Sequence, residues 1–367
     1  MYVNRIKLIN FRNYQHVEVG FLNQINLLYG DNAQGKTNII EAICLSSLGK
    51  SQRIARDSEM ILFGSENYFV EIDLIKNNRS YKIEIGVTNK KEKRIKISGR
   101  EIKKVGELLG KLIIVLFSPD ELKIIKESPY YRRRFLDILI CQLSASYLLN
   151  LQKYYRIAAQ RNNLLKQIKK KRELVETLDI WDREFSQTAV LILKKRKEYI
   201  DKIKEKAEKI HLKLTEEKEN LQIFYKSTFK GISASVDESI EEFMISLKHM
   251  RDADIEKGFT HIGPHRDDII IKINGKDATK YGSQGQQRTV VLSLKLAELE
   301  VIREEIGEYP VLLLDDVFSE LDAKRRRFLI DYIKGVQVFI TSTEKLEDRY
   351  FIDNISYYRI NDGRIEN

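Results

Sequence analysis

Eight consecutive residues near the start of the chain could bind the phosphates of a nucleotide. They fit the pattern G-x-x-x-x-G-K-[ST] at each fixed position. They are Gly30, Asp31, Asn32, Ala33, Gln34, Gly35, Lys36 and Thr37. In such a turn the backbone N–H groups point at phosphate oxygens, the lysine reaches the β- and γ-phosphates, and the hydroxyl is a ligand of Mg²⁺. The pattern therefore predicts a site for a nucleoside triphosphate with Mg²⁺.

The residues on either side of this turn have the pattern that the chemistry needs. Residues 25–29 form an apolar run typical of a buried strand, and residues 37–48 carry apolar side chains at helical spacing. The order of strand, glycine-rich turn and helix favours a phosphate site over the alternative, which is a surface turn with a solvated lysine.

Two carboxylates follow a second apolar run. Residues 311–314 read Val-Leu-Leu-Leu, and Asp315 and Asp316 come directly after them. A buried parallel strand of this kind delivers acids to its carboxyl end, where open α/β sheets bind ligands. We predict that Asp315 holds Mg²⁺ and that Asp316 orients the attacking water.

A second glycine-bearing turn lies before another helical pattern. Ser283-Gln284-Gly285-Gln286 precedes apolar residues that recur at helical spacing from Val290 onwards. A polar turn at a helix N-terminus can bind an anion. Taken alone, this turn leaves open both an anion site and an ordinary helix start.

The pattern of the remaining chain predicts an α/β fold with an insertion. Residues 68–97 alternate in polarity as an antiparallel meander does, and residues 118–254 read mainly as long amphipathic helices. Strand patterns return after residue 262. We predict a P-loop ATPase head formed by residues 1–117 and 255–367, which includes an antiparallel β subdomain, and an inserted α-helical domain at residues 118–254.

Composition limits the class of protein. The 367 residues include 64 Lys or Arg and 54 Asp or Glu, a net charge of +10, and mean hydropathy is −0.38. Residues 151–200 hold thirteen basic against six acidic residues, with basic runs at 169–172 and 194–197. Such runs favour a polyanionic partner, although solvated helical faces are the alternative. No apolar run could span a bilayer, and the two cysteines stand far apart, so we expect a soluble, cytoplasmic protein.

Taken together, the three motifs resemble the Walker A, signature and Walker B motifs of the ABC-type ATPases, with a D-loop at residues 319–322. Their order and spacing are similar to the SMC-like branch of that class. Over nearly the whole chain the sequence resembles the bacterial RecF family. The segments that carry this resemblance are LINFRNY (8–14), GDN (30–32), RRFLD (133–137), GPHRDD (263–268) and LDDVFSELD (314–322).

The resemblance implies an ATP-dependent homodimer with nucleotide between two copies of the chain. Lys36 and Thr37 of one copy would bind the triphosphate, and the signature turn of the other would close over the γ-phosphate. Ser283, with Lys36 and Asp316, would belong to the catalytic set. The resemblance further implies nucleotide contacts from three other residues, which are Gly285, Gln286 and Asp322 of the D-loop.

The resemblance also implies a function on DNA. The ATP-bound dimer would bind gaps and single-strand–double-strand junctions and, with RecR and RecO, promote RecA loading in gap repair, replication restart and SOS induction. ATP hydrolysis would release the dimer. The alternative is an SMC-like ATPase head that acts structurally with a protein partner.

Three positions depart from the general ABC pattern. Asp316 replaces the usual glutamate, which predicts slow hydrolysis, because its shorter side chain reaches less far. Ser118-Pro119-Asp120 stands where a glutamine that contacts Mg²⁺ is expected. No histidine follows Ile340, so we expect a hydroxyl, Thr341 or Thr343, to sense the γ-phosphate.

Overall fold

The fold is given by a computed structural model that describes residues 1–54, 56–90, 92–346 and 355–366. The chain divides into two compact units. The first comprises Met1–Leu122, Lys213–Glu217 and Arg288–Asn367, and the second comprises Lys123–Leu212 and Lys218–Gln287.

The strands are numbered in chain order. They are β1 (Tyr2–Phe11), β2 (Tyr14–Gly20), β3 (Ile25–Tyr29), β4 (Asn67–Lys76), β5 (Arg79–Thr88), β6 (Lys93–Ile97), β7 (Arg100–Glu101), β8 (Ile114–Phe117), β9 (Leu221–Lys226), β10 (Asp268–Ile273), β11 (Lys276–Asp277), β12 (Val311–Leu314), β13 (Val338–Ser342), β14 (Ile355–Asn361) and β15 (Arg364–Glu366).

The α-helices are numbered in the same way. They are α1 (Lys36–Leu48), α2 (Lys123–Lys126), α3 (Pro129–Leu143), α4 (Ala145–Ile168), α5 (Leu178–Leu214), α6 (Val236–Lys257), α7 (Ala278–Tyr281), α8 (Gln284–Ile306), α9 (Val317–Glu320) and α10 (Ala323–Tyr332).

The first unit contains an antiparallel sheet in the order β2-β1-β4-β5-β6-β7. Along β4, alternate residues are buried because successive side chains of a strand point to opposite faces. Strands β4, β5 and β6 pair in sequence order, which confirms the meander predicted for residues 68–97.

The second sheet of the first unit carries the predicted site. Its order is β15-β14-β3-β13-β12-β8, and β8, β12, β13, β3 and β14 run parallel. The residues of β12 are all buried and apolar, as expected for a parallel strand that is covered on both faces. Because β3, β12 and β13 run parallel side by side, the segments that follow them begin at one edge of the sheet.

The second unit combines helices with a small antiparallel sheet, β11-β10-β9. Arg161 and Arg196 are fully buried in its interior, and each has an acidic partner. Arg161 contacts Asp182 and Asp254 at 2.7 Å, and Arg196 contacts Asp137 at 2.9 Å. A buried charge is tolerated only when it is paired, so these ion pairs fix how the helices of this unit pack.

The observed division differs from the predicted boundaries. Strand β9 lies within the stretch that was expected to be helical, and residues 255–287, expected in the ATPase head, belong to the second unit. The physical reason is strand pairing, since β10 pairs along its whole length with β9. The six residues of β9 follow a charged helix of 37 residues, and their polarity alternates too weakly for the sequence to predict a strand.

Candidate functional site

The predicted phosphate turn connects β3 to α1 and requires glycine at two positions. Gly30 and Gly35 have φ angles of 146° and 119°. A Cβ atom at Gly30 would lie 2.2 Å from the backbone oxygen of Ile360, and one at Gly35 would lie 2.8 Å from the Asn13 amide and 2.9 Å from the Tyr14 hydroxyl. Both glycines therefore allow a close approach of backbone that any larger residue would prevent.

The other turn residues are accessible. Asp31, Asn32 and Ala33 are exposed, and Gln34 is partly buried. Ala33 has a φ of 65°, in the left-handed region. The turn thus presents an open stretch of backbone immediately before α1, which is the arrangement that binds phosphate at a helix N-terminus.

Lys36 is the first residue of α1, and its ammonium group reaches back over the turn. Its Nζ donates to the backbone oxygens of Gly30 and Asp31 at 2.6 Å each. Burial lowers the pKa of Lys36, and the charges of Asp316, Asp31 and Asp315 oppose that shift. A polyanionic phosphate at this position would strengthen the opposing effect, because it adds negative charge beside the ammonium.

Thr37 and Asp315, the predicted metal ligands, lie together. The Thr37 hydroxyl donates to Oδ1 of Asp315 at 2.9 Å, and the Thr341 hydroxyl donates to the same oxygen at 2.9 Å. Burial raises the pKa of Asp315, while these two hydrogen bonds and the charge of Arg53 act against it. Hydroxyl and carboxylate oxygens are ligands that Mg²⁺ prefers, so the residues present fit this ion.

Asp316 adopts an unusual backbone conformation at the end of β12. Its φ is 58°, in the left-handed region, and its side chain is exposed. Its backbone N–H donates to the Thr341 hydroxyl at 2.8 Å. The Thr341 hydroxyl of β13 thus bonds to both aspartates, to the carboxylate of Asp315 and to the backbone of Asp316.

Thr341 does not have the free hydroxyl hydrogen and the exposure that a sensor of the γ-phosphate requires. A hydroxyl has one hydrogen, and that of Thr341 is donated to Asp315. The side chain is also buried, at 1% exposure, whereas Thr343 is exposed. Thr341 supports the two aspartates, a role that the sequence did not indicate.

The turn between β1 and β2 supports the phosphate turn from one side. Nδ2 of Asn13 donates to the Gln34 backbone oxygen at 2.8 Å, and Oδ1 of Asn13 accepts from Asn38 at 2.9 Å. The buried Tyr14 hydroxyl donates to the Gly35 oxygen at 3.1 Å. The sequence singled out residues 8–14 only by resemblance, and these contacts give the segment a physical role.

The hairpin of β14 and β15 supports the same turn from the other side. The backbone N–H of Gly363 donates to the Gln34 oxygen at 3.1 Å, and that of Asp362 donates to Oε1 of Gln34 at 2.5 Å. Gln34 thus connects the phosphate turn to residues more than 300 positions later. No local sequence pattern could have predicted this contact.

A buried carboxylate on α1 anchors nearby arginines. Glu41 accepts two hydrogen bonds from Arg12, both at 2.8 Å, and one from the Ser51 hydroxyl at 2.5 Å. A guanidinium nitrogen of Arg53 lies 4.0 Å from Glu41. Arg53 is half exposed, and its charge acts to lower the pKa of Asp315, the predicted metal ligand.

The signature turn begins α8 and is closed by reciprocal hydrogen bonds. Oγ of Ser283 accepts from the backbone N–H of Gln286 at 3.2 Å, and Oε1 of Gln286 accepts from the backbone N–H of Ser283 at 2.9 Å. This is the geometry of a capping box. Ser283 is exposed and Gly285 partly buried. These residues belong to the second unit, whereas Lys36, Thr37, Asp315 and Asp316 belong to the first.

Asp322 caps a different helix. Its carboxylate accepts from the backbone N–H of Arg325 at 2.8 Å and thereby satisfies a donor at the start of α10. It also pairs with the Arg325 guanidinium. About half of the side chain is exposed, and the side chain of Ser319, in the same predicted D-loop, lies outside the described residues.

A helix that crosses a membrane must be both long and apolar. In the part of the chain that the structure describes, no helix combines the length and the apolar character that crossing a bilayer requires.

Sequence comparison gives matches over the whole chain. The family model of the RecF/RecN/SMC N-terminal domain matches residues 2–356. The DNA replication and repair protein RecF of Acetivibrio thermocellus is 46% identical, with 99% of each chain covered. That of Alkaliphilus oremlandii is 44% identical, with 100% of each chain covered.

Solved structures agree with these matches. Two structures of the recombination mediator protein RecF in the RecFOR pathway, RecF-ATPrS and RecF-ATP, have TM-scores of 0.92 and 0.91 to this chain. Both are 37% identical to it, and the matches cover 100% of this chain and 97% of theirs. An SMC head bound to the C-terminal winged-helix domain of ScpA shares the fold, at 18% identity and a TM-score of 0.59.

The site and these matches agree. A turn with the phosphate-binding pattern, a hydrogen bond between Thr37 and Asp315, and the predicted signature turn occur in a chain that is similar to RecF proteins from end to end. The predicted fold class, an ABC-type ATPase of the SMC-like branch, is confirmed. This chain belongs to the RecF family of DNA replication and repair proteins, within the RecF/RecN/SMC group of ATPases.

Proposed function

We propose that this chain is an ATP-dependent, DNA-binding recombination mediator that acts as a homodimer. The ATP-bound dimer binds DNA at gaps and single-strand–double-strand junctions and, with RecR and RecO, promotes RecA loading in gap repair, replication restart and SOS induction. Weak, DNA-stimulated ATP hydrolysis releases the dimer. The observation that carries this proposal is the Thr37–Asp315 contact beside Lys36, in a chain similar to RecF-ATP.

The residues of the first unit form one half of the proposed site. The backbone of residues 30–35 and the Lys36 ammonium bind the β- and γ-phosphates of ATP, and Thr37 with Asp315 would hold Mg²⁺. When bound, Mg²⁺ would neutralise phosphate charge. In this proposal Lys36 exchanges its two carbonyl acceptors for phosphate oxygens, because the carbonyls are neutral and the phosphate is charged.

Asp316 supplies the proposed general base. Its exposed carboxylate lies beside Asp315 and would orient a water molecule for attack on the γ-phosphate. An aspartate is one methylene shorter than a glutamate, which favours slow hydrolysis. Slow turnover suits a switch, since the dimer then persists long enough for a partner to act on it.

The signature turn of a second copy forms the other half of the proposed site. Ser283 uses its oxygen to accept from Gln286, so its single hydroxyl hydrogen can be donated to a γ-phosphate oxygen. Gly285 and Gln286 lie in the first turn of α8, where the helix N-terminus favours an anion. A γ-phosphate that is bound by both copies stabilises the dimer relative to the separate monomers. Hydrolysis of ATP removes these shared contacts and with them the stabilisation of the dimer.

The dimer can be tested by sizing the protein with ATP, with ADP and without nucleotide. We expect a dimer with ATP and a monomer with ADP or without nucleotide. Ser283→Arg should abolish it, because a long cation replaces the hydroxyl, whereas Lys36→Arg tests the phosphate turn separately. Ser144→Arg is the matched control: Ser144 also caps a helix in the second unit, by accepting from the backbone N–H of Tyr147. A normal ATP-dependent dimer of the Ser283→Arg protein would contradict the sandwich.

The DNA function needs a separate measurement. We expect gapped DNA to bind more tightly to the ATP-bound dimer than to the protein with ADP, as measured by fluorescence anisotropy. If the dimer forms with ATP and its affinity for DNA is no higher than that of the monomer, the alternative function, an SMC-like head that acts structurally with a protein partner, is supported instead.

A further inference from the structure

A chain of hydrogen bonds connects the end of α5 to the signature turn. Nε2 of His211 lies 3.2 Å from Oε2 of Glu219, and the other carboxylate oxygen of Glu219 accepts from Nε2 of Gln286 at 2.9 Å. Oε1 of Gln286 in turn accepts from the backbone N–H of Ser283. All four residues belong to the second unit.

Glu219 determines which way the Gln286 amide faces. An ionised carboxylate only accepts hydrogen bonds, whereas an amide has a donating and an accepting end. The amide must therefore turn its NH₂ group to Glu219, which directs its oxygen to the Ser283 N–H. The opposite orientation would place two donors together at Ser283 and two acceptors together at Glu219.

Glu219 is itself held on both sides. His211 is fully buried at the end of α5, and as the partner of an ionised carboxylate its Nε2 is the donor. The next residue, Asn220, is fixed to the β10–β11 turn, because its backbone N–H donates to Oδ1 of Asn274 at 2.7 Å and its oxygen accepts from the Asn274 N–H at 2.9 Å. The carboxylate is thus presented to the signature turn from a constrained backbone.

We propose that Glu219 is a positioning residue for the signature turn and that it acts through Gln286. By fixing the Gln286 side chain, it closes the capping box and keeps the Ser283 oxygen on the Gln286 N–H, so that the serine hydrogen is left for the nucleotide of a second copy. This inference rests on the proposed ATP-dependent dimer. It also makes the end of α5 a support of that site, through His211.

The first test is Glu219→Ala, compared with Glu217→Gln. Glu217 is an exposed acid in the same connection between α5 and β9, so its variant controls for the loss of a negative charge. Loss of a hydrogen bond to a charged group predicts a decrease of about tenfold in ATP-dependent dimer formation and in the kcat of ATP hydrolysis. Binding of a fluorescent ATP analogue to the monomer should stay within about twofold, because the phosphate turn is in the first unit.

The second test exchanges the two groups. Gln286→Glu places a carboxylate against Glu219, and we expect a loss of about tenfold or more in dimer formation, since like charges at this distance repel. Adding Glu219→Gln restores the hydrogen bond, because the amide that it introduces donates to the carboxylate introduced by Gln286→Glu. That carboxylate can still accept from the Ser283 N–H with its other oxygen. The double variant should form the ATP-dependent dimer at least about threefold better than Gln286→Glu alone, because the hydrogen bond is restored. It should stay below the original protein, because a carboxylate at this position repels the γ-phosphate of the proposed site.

The outcomes separate this inference from the proposed function. If Ser283→Arg abolishes the dimer while Glu219→Ala dimerises and hydrolyses ATP normally, the role of Glu219 is contradicted and the proposed function stands. If Ser283→Arg itself dimerises normally, the proposed function is contradicted. If Glu219→Ala does not fold, as judged by circular dichroism, the exchange decides: recovery in the double variant supports the inference, and no recovery overturns it.

Discussion

At the scale of single residues, Thr341 connects the two aspartates that follow β12. Its hydroxyl donates to Asp315 and accepts from the backbone N–H of Asp316. Thr341→Val keeps the shape of the side chain and removes both bonds, leaving a donor and an acceptor without this partner, at a cost of about 1–3 kcal/mol. We expect the kcat of ATP hydrolysis to fall about tenfold or more and ATP affinity to change by less than about threefold.

The matched control for this prediction is Thr343→Val, which changes an exposed hydroxyl two residues later. Single-turnover hydrolysis and equilibrium binding of ATP would be measured for both variants. If Thr343→Val slows hydrolysis while Thr341→Val does not, Thr343 is the residue that senses the γ-phosphate and the supporting role of Thr341 is refuted.

His265 predicts an acid sensitivity that belongs to the second unit. Its Nδ1 accepts from the Tyr154 hydroxyl and its Nε2 donates to the backbone oxygen of Thr260, so the neutral ring is satisfied. Burial lowers the pKa of His265 to about 4, the Thr260 oxygen opposes this, and the charges of Arg266, Arg133 and Arg196 add to it.

The direction in which pH changes the stability follows from the histidine pKa in the folded and unfolded chains. The unfolded chain, with a histidine pKa near 6.5, binds the proton more readily than the folded chain. The stabilising effect is therefore complete above about pH 6.5 and is lost as the pH falls towards 4. Between pH 7.5 and 5.5 we expect the free energy of unfolding to fall by about 1.4 kcal/mol more than in His265→Asn, as measured by urea denaturation. Parallel pH profiles for the two proteins would contradict the assignment.

At the scale of elements, the phosphate turn depends on segments at both ends of the described chain. Asn13 on the β1–β2 turn makes two hydrogen bonds, to Gln34 and Asn38, that hold the turn against α1. Asn13→Ala removes both, and at about 1 kcal/mol each we expect ATP affinity to fall about tenfold or more. Isothermal titration would measure this, with Gln15→Ala on the exposed face of β2 as control. Equal affinities for the two variants would show that the turn is rigid without Asn13.

Local sequence patterns predicted some of the helices and strands and missed others. The strand, turn and helix at residues 25–48 were predictable because the phosphate motif and two periodicities coincide there. The β4–β6 meander was predictable because one face of each strand is buried. Strand β9 was not, because only Leu221 and Ile223 mark its buried face. Its pairing with β10 is a long-range property that no local window contains.

At the scale of the whole molecule, the structure separates two basic runs that looked equivalent in the sequence. In residues 194–197, Arg196 is fully buried against Asp137, and Lys195 pairs with Glu198. Residues 169–172 are exposed throughout. Of these two runs, residues 169–172 are therefore the better candidate for contacts with DNA phosphates in the proposed function.

This difference predicts how DNA binding depends on salt. Lys170→Glu with Lys171→Glu should weaken DNA binding by the ATP-bound dimer and reduce the slope of log K against log [salt] by about two, because two phosphate contacts are lost. The control is Lys103→Glu with Lys104→Glu, an exposed pair in the first unit. If the control lowers the slope and the test variant does not, the DNA site lies on the first unit instead.

The candidate site was only partly predictable from the sequence. Motifs singled out Lys36, Thr37 and Asp315 as candidates because phosphate and Mg²⁺ chemistry restricts residue types at fixed spacing, and the structure places Thr37 and Asp315 in contact. The residues that support them, Asn13 and Thr341, are common polar types, and no chemical rule fixes their spacing to the phosphate motif. Their contacts join separate elements, Asn13 with Gln34 across 21 positions and Thr341 with Asp315 across 26, and Gln34 itself contacts Asp362 across 328 positions. These roles therefore require the fold itself.

The position of β3 in its sheet has a consequence for synthesis on the ribosome. Both of its neighbours, β13 and β14, come late in the chain, and Asn26 of β3 contacts Val338 of β13 across 312 positions. A nascent chain that has emerged only as far as the helices of the second unit leaves this strand without partners on either side. ATP should then stabilise finished molecules and not partly translated ones, so that nucleotide-dependent protection from proteolysis appears only after the last strands have left the exit tunnel.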